Sequence, residues 1–342
     1  MSAPVIVTGA AGFIGMHLCR RLLADGRSVV GIDNLNDYYD PRLKRARLAT
    51  LAGFDGFAFH EADVADRGTI DTLFDTHRPQ KVVHLAAQAG VRYALTNPMA
   101  YADTNLAGMA VMLEACRRLE VRHLVFASSS SVYGANRKLP FSERDPVDHP
   151  VSLYAATKRA NELMAHSYAH LFALPVTGLR YFTVYGPWGR PDMAIWKFTE
   201  ALLRGKPIDV YGGGVLSRDF TYIDDTVEAT VRLLDVPREP SSSANPADWN
   251  AEGPDTSWAP FELVNLGRSD PVSVNELIAR LEAITGRGAL RNEMGMQPGD
   301  VERTFSSTEK LVRLTGFTPG VPLDEGLRAF VAWFREYHRI DR

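Results

Sequence analysis

A short apolar run, Pro4-Val5-Ile6-Val7-Thr8, passes directly into Gly9-Ala10-Ala11-Gly12-Phe13-Ile14-Gly15, and a helical pattern with Leu18, Leu22 and Leu23 on one side follows. Strand, glycine turn and helix in this order is the context a dinucleotide fingerprint requires. The first glycine allows the tight turn. The middle one lets backbone N–H groups approach a pyrophosphate at the helix N-terminus, and the last lets helix and strand pack closely. The spacing is G-x-x-G-x-x-G, one residue longer than the most familiar form. The next strand, Arg27 to Ile32, ends in Asp33, where a carboxylate can grip adenosine ribose hydroxyls and repel a 2′-phosphate. Together the two signals favour NAD over NADP.

The pattern then repeats. A third strand is expected at about 56–60, followed by Asp63-Val64 and a helix capped by Asp66. A fourth, Lys81 to Leu85, runs into Ala86-Ala87-Gln88. A long helix is expected at about 98–119, a fifth strand at 122–127, a helix at about 152–172 and a sixth strand at 175–181. Strands alternating with helices predict an α/β fold with a doubly wound parallel sheet. Ligands of such sheets bind beyond the carboxyl ends of the strands. Asp33, Asp63, Ala86 and Ser128 all fall at those ends, so the signals converge on one crevice. Residues 1–181 read as the nucleotide-binding domain and 182–342 as a smaller substrate domain, with the segment at about 218–235 packing back on the first. Residues 237–260, rich in Pro, Ser, Asp and Trp without periodicity, read as a long excursion.

Composition narrows the partners. The formal charge is −3 with 23% charged residues, and no basic block suggests nucleic acid. No apolar run reaches membrane-spanning length, and the first strand starts too early for a signal or transit segment. The two cysteines, Cys19 and Cys116, sit in apolar helical patterns and read as core residues in a reducing compartment. A cytoplasmic protein is expected.

The chemistry centres on Tyr154-Ala155-Ala156-Thr157-Lys158. Residues four apart on a helix share a face, so phenol and ammonium can address one pocket. A free tyrosine, with a pKa of roughly 10, is a poor base at neutral pH. A fixed positive charge nearby favours phenolate and brings it toward the working range; Lys158 is one expected source, and an oxidised nicotinamide ring is a second. The fifth strand ends in Ser128-Ser129-Ser130-Ser131, an odd place for a linker. A hydroxyl there can bond the same substrate oxygen that Tyr154 deprotonates. His166 and His170 are four apart but lack the neighbouring Glu of a zinc motif, so no metal is expected.

The combination of Thr8 to Gly15, the serine run and Tyr154-x-x-x-Lys158 resembles the extended short-chain dehydrogenase/reductase family over nearly the whole chain, in its nucleotide-sugar epimerase branch. Asn36 to Pro41, Ala89 to Tyr93, Phe182 to Pro191 and Arg218 to Asp225 are similar to the UDP-glucuronate 4-epimerases in particular. The resemblance implies a Rossmann-type sheet and tightly held NAD. It also implies a redox detour, in which Tyr154 takes the C4 hydroxyl proton while hydride leaves C4, and the 4-keto sugar turns over before hydride returns. It places Ser129 as the hydroxyl partner, although four adjacent serines leave the register open by one. Lys158 is expected on the nicotinamide ribose.

The implied cofactor contacts are Gly9, Gly12, Phe13, Ile14 and Gly15 in the turn, and Asp33, Asn34, Asp63 and Val64 around the adenosine. Leu85, Ala86, Ala87, Gln88, Asn105, Ser128 and Tyr181 complete them, with Tyr154 and Lys158 at the reacting end. The implied substrate contacts are Arg92, Ser129, Ser130, Tyr154, Thr183, Arg190 and Arg218. Arg218 is the expected diphosphate cation, whereas Gln297 stands where related enzymes often have Arg. A 4-keto sugar bearing a C5 carboxylate is a β-keto acid that loses CO₂ readily, so Ser129, Ser130 and Thr183 are expected to clamp that carboxylate, with Arg190 either helping by charge or standing there mainly for structure. Family members often pair the helices at 98–119 and 152–172 into an intermolecular bundle, so a homodimer is expected, with Met109, Met112, Leu113, Leu163 and Met164 either at that interface or in the core. A UDP-glucuronate decarboxylase or a dehydratase on the same scaffold is the nearest alternative. A non-catalytic NAD-binding module is the distant one.

Overall fold

The computed structural model describes residues 3–239, 253–296 and 302–340. Most of the expected excursion and the Gln297 segment lie outside the described residues. The alternation begins with β1 (Val5–Thr8), α1 (Phe13–Ala24), β2 (Val29–Asp33), α2 (Pro41–Ala49), β3 (Phe57–Glu61), α3 (Arg67–His77) and β4 (Lys81–His84). The expected helix at 98–119 is divided: α4 (Met99–Tyr101) and α5 (Gly108–Arg118) flank a π-helical stretch, Ala102–Ala107. Next come β5 (His123–Ser129), α6 (Leu153–Phe172), β6 (Val176–Tyr181), β7 (Thr183–Tyr185), α7 (Ala194–Arg204), β8 (Pro207–Tyr211), β9 (Ser217–Tyr222) and α8 (Ile223–Leu234). The chain ends with β10 (Phe261–Leu266), β11 (Pro271–Ser273), α9 (Val274–Thr285), β12 (Leu290–Met294), α10 (Glu309–Thr315) and α11 (Leu323–His338).

Seven parallel strands in the order β10-β6-β5-β4-β1-β2-β3 form the main sheet. Side chains alternate between its faces. Val5 and Val7 pack with α1 and α8 on one side, while Ile6 packs with α3, α5 and α6 on the other. Both faces are covered, which is why the strands read as continuous apolar runs. The order reverses between β1 and β4, and that switch point opens a crevice at the carboxyl ends of the strands.

Two segments beyond residue 181 belong to this layer. Helix α8 lies against α1, its Val227, Val231 and Leu234 in the same core as Met16 and Leu22. Strand β10 pairs with β6, so the sheet is completed by residues beyond the expected domain border. The smaller unit packs α7, β8, α9 and α11 around Trp196, Leu202, Leu281, Phe330 and Phe334. It also contributes the β11-β9-β7 sheet and the β12-β8 pair. Among the described residues no helix is long and apolar enough to cross a membrane. Cys19 and Cys116 are buried free thiols on opposite faces of the main sheet.

The docking of α8 is fastened at its C-cap. Asp235 accepts Arg27 Nη1 at 2.8 Å and Lys81 Nζ at 2.7 Å. These bonds, Arg27's above all, pull its carboxyl down to about 2. A depressed carboxylate contributes stability above its unfolded pKa and loses it as pH falls through the folded one. Asp235→Asn therefore lowers the melting temperature at neutral pH, by the equivalent of about 1 kcal/mol or less for so exposed a pair. The gap to the parent closes between pH 3.8 and about 2, which thermal melts across that range will show.

Candidate active site

A single cavity of about 890 Å³ runs from the glycine turn, under the strand ends, to β8 and β9 of the smaller unit. Its first wall is the turn itself. Gly9 has φ +72°, and a Cβ there would meet Ala86 N at 2.9 Å. A Cβ on Gly15 would overlap the Gly9 carbonyl oxygen. Gly12 caps α1 without any side-chain cap, leaving the first-turn N–H groups to an anion. At the end of β2, buried Asp33 accepts Ala11 N at 3.1 Å and Leu35 N at 2.9 Å. Burial raises its pKa, against the pull of Lys44 and those two donors. A cradle without side chains, an uncapped helix start and a carboxylate beside them fit a pyrophosphate and its adenosine ribose.

Phe13, Ile14, Asn34, Val64, Leu85, Ala86, Ala87, Gln88 and Tyr181 continue this wall. Two expected contacts do not line it. Asp63 is a turn former, its Oδ1 taking Ala65 N at 2.8 Å while Oδ2 takes Asn34 Nδ2 at 2.9 Å. Asn105 lies in the π-helical stretch, where such distortions often serve a site. Its side chain accepts Gln88 N at 2.8 Å and donates to Gln88 O at 3.1 Å and Thr157 Oγ1 at 3.0 Å. Asn105 thus shapes the Gln88 backbone. Asn161, absent from the sequence-derived list, holds that arrangement by donating to Asn105 O at 2.7 Å.

The reacting end is carried by α6, whose N-cap Ser152 accepts Ala155 N at 3.1 Å. Lys158 Nζ donates to Ala127 O at 2.8 Å and sits 6.0 Å from the centroid of the Tyr154 ring. The Ser128 hydroxyl turns into the core and donates to Glu162 at 2.6 Å, so only the rest of that residue faces the cavity. Ser129 lines the cavity together with Tyr154, its hydroxyl donating to Ser131 Oγ at 3.1 Å and accepting Ser131 N at 3.1 Å. Burial raises the Tyr154 pKa, and the Arg190 charge and the Ser129 bond work against it. The protein surroundings of the phenol outweigh the cation nearest to it in effect, and that cation is Arg190. Lys158 is itself brought down to about 8 by burial.

Thr183, at the start of β7, and Ser130 face the same space. Arg190 is half-buried beside them and is gripped by Asp192, with Nε to Oδ1 at 3.0 Å and Nη2 to Oδ2 at 2.6 Å. Tyr38 also donates to Asp192, at 3.2 Å. Burial works to lower the Arg190 pKa, and Asp192 more than offsets this. The pair is neutral overall. The sequence offered this partner two residues away, yet neither Asp192 nor Tyr38 was singled out as a site residue. Farther along, Arg92 stacks over Tyr211 at 4.9 Å, bridging the two units, and Arg218 lines the cavity while donating to Ser217 O at 2.8 Å.

Residues 5–251 match the family described as NAD dependent epimerase/dehydratase. A probable UDP-glucuronate 4-epimerase of Rhizobium meliloti is 50% identical, across 98% of this chain and 97% of that protein. UDP-glucuronate 4-epimerase 3 of Arabidopsis thaliana is 45% identical, across 98% of this chain and 77% of that one. The crystal structure of UDP-glucuronic acid 4-epimerase from Bacillus cereus, in complex with UDP-glucuronic acid and NAD, superposes with a TM-score of 0.86 at 32% identity, covering 98% and 99% of the two chains. The matched span holds the glycine turn, Ser129, Tyr154, Lys158, Thr183 and Arg218, and the chain belongs to the NAD dependent epimerase/dehydratase family.

Proposed function

We propose that the chain is a UDP-glucuronate 4-epimerase that works with a retained NAD, converting UDP-glucuronate to UDP-galacturonate through a 4-keto sugar. The observation that carries this reading is one cavity joining the glycine turn to Tyr154 and Ser129, with Thr183 and a self-neutralised Arg190 on its far wall. NAD would lie along the turn, Asp33 and Gln88, and the chemistry it supplies when bound is reversible acceptance of hydride from C4. Tyr154 removes and restores the C4 hydroxyl proton. Ser129 holds the oxygen in line with the phenol, and Lys158 keeps positive charge beneath it. Arg92 and Arg218, with the smaller unit, hold the diphosphate and the uridine end.

The neutral far wall bears on the hazard of CO₂ loss. Hydroxyls of Ser129, Ser130 and Thr183 can fix the carboxylate by direction, out of the perpendicular alignment that favours cleavage. Decarboxylation is then a side reaction rather than the outcome. Incubation with UDP-glucuronate and no added cofactor should give UDP-galacturonate. UDP-xylose and CO₂ as the main products would overturn the reading. Tyr154→Phe should lower turnover by about 10²- to 10⁴-fold, the range of a lost acid–base group, with nucleotide content unchanged. Thr183→Val should weaken substrate binding and raise the share of decarboxylated product. An unchanged affinity and product ratio would remove Thr183 from the clamp.

We also propose a cytoplasmic homodimer formed through α5 and α6. Met109, Met112 and Leu113 are buried against the sheet and cannot serve an interface, while Leu163, Leu171 and Phe172 are exposed. Light scattering at micromolar concentration should give twice the chain mass, and Leu163→Glu should give the mass of one chain.

A further inference from the structure

Two successive residues at the end of β5 are each met by a different side chain of α6. Lys158 donates to Ala127 O, Ser128 donates to Glu162, and Ser129, the next residue, lines the cavity with Tyr154. Tyr154, Lys158 and Glu162 are spaced by four, so they form one stripe along the helix. The first two belong to the reaction. Glu162 is fully buried and touches neither the cavity nor any expected ligand, yet it is the most heavily bonded member of the stripe.

Its partner is Arg180 on β6, also fully buried, with Nε to Oε1 at 2.8 Å and Nη2 to Oε2 at 3.0 Å. Arg159 adds a bond to Oε2 at 3.1 Å. Burial would favour the acid form of Glu162, and Arg180 more than reverses this, so the carboxylate is ionised. In the sheet, Ser128 stands opposite Arg180, and Arg180 stands opposite Asn265 of β10. The remaining arm of Arg180 donates to the Tyr133 hydroxyl at 3.0 Å, which donates to Asn265 Oδ1 at 2.6 Å. Ser128 immediately precedes Ser129, and Tyr133 ends the 3₁₀ turn Ser130–Tyr133 that follows it. Both ends of the short segment carrying the Ser129 hydroxyl are therefore tied to the same ion pair.

A buried ion pair adds little net stability over well-packed apolar side chains, because desolvation offsets the attraction. Direction is what it provides here. A positional error of about 1 Å at a reacting group can cost on the order of 10²-fold in rate. We propose that Glu162 and Arg180 are positioning residues that set the Ser129 hydroxyl against Tyr154, acting through Ser128 on one side of the turn and Tyr133 on the other. The proposal takes its assay from the epimerase reading, but its geometry is independent of the sugar.

Ser128→Ala is the mildest probe, since Glu162 keeps its three bonds from Arg180 and Arg159. It should lower kcat by about tenfold with KM for UDP-glucuronate held within about twofold, and Ser128→Thr, which retains the hydroxyl, should recover most of the loss. In a Ser129→Ala background the same change should have no further effect. In the protein as purified, the Tyr154 phenol, followed by tyrosinate absorbance against Tyr154→Phe, should titrate higher in Ser128→Ala, as it should in Ser129→Ala. An unchanged kcat and titration, a loss seen only in melting temperature, or a full tenfold loss persisting without Ser129 would each overturn the proposal. Should the parent protein not epimerise UDP-glucuronate, the function above fails, while the titration still decides this point.

Discussion

Everything at the reacting end depends on the balance struck around one phenol. Surrounding protein disfavours its anion, and only neighbouring positive charge and hydrogen-bond donors bring it back. In this chain the restoring groups come from separate elements: Arg190 from the loop after β7 and the Ser129 hydroxyl from the end of β5. Their convergence is a product of the sheet. Parallel strands bring all carboxyl ends to one edge, and the reversal between β1 and β4 leaves the gap into which those ends open.

The far wall follows another logic. A site for a carboxylate sugar could have used a bare cation, yet Arg190 arrives already matched by Asp192, with Tyr38 on the same carboxylate. An unmatched guanidinium would bind a carboxylate tightly with loose directional control, whereas hydroxyl donors fix its orientation. Where the hazard lies in the angle of one bond, orientation matters more than attraction.

The local grammar of the sequence carried most of the fold. Apolar runs at the strands, Asp66 and Ser152 as caps, and the glycine turn are all short-range signals, and the elements they mark lie within a residue or two of expectation. The places it fell short are those decided at long range. Asp33 ends β2 and Asp63 follows β3, and nothing local says that Asp63 will bond to its own turn and to Asn34. Nothing around Asn105 announces that its partners are the Gln88 backbone and Thr157. Nor does the local pattern of Phe261–Leu266 say which sheet it will join. Asp192 stands two positions from Arg190, and the fold decides that the two pair.

The late arrival of β10 also has a meaning for biosynthesis. When residue 181 has left the ribosome, the sheet ends at β6 with an unpaired edge, and its last strand emerges some eighty residues afterwards. At about 5–20 residues per second, that edge stays open for several seconds, and strand edges of this kind invite foreign pairing. The nascent chain is thus most vulnerable to aggregation while the smaller unit is being made, and a fragment ending at residue 181 would keep that vulnerability permanently.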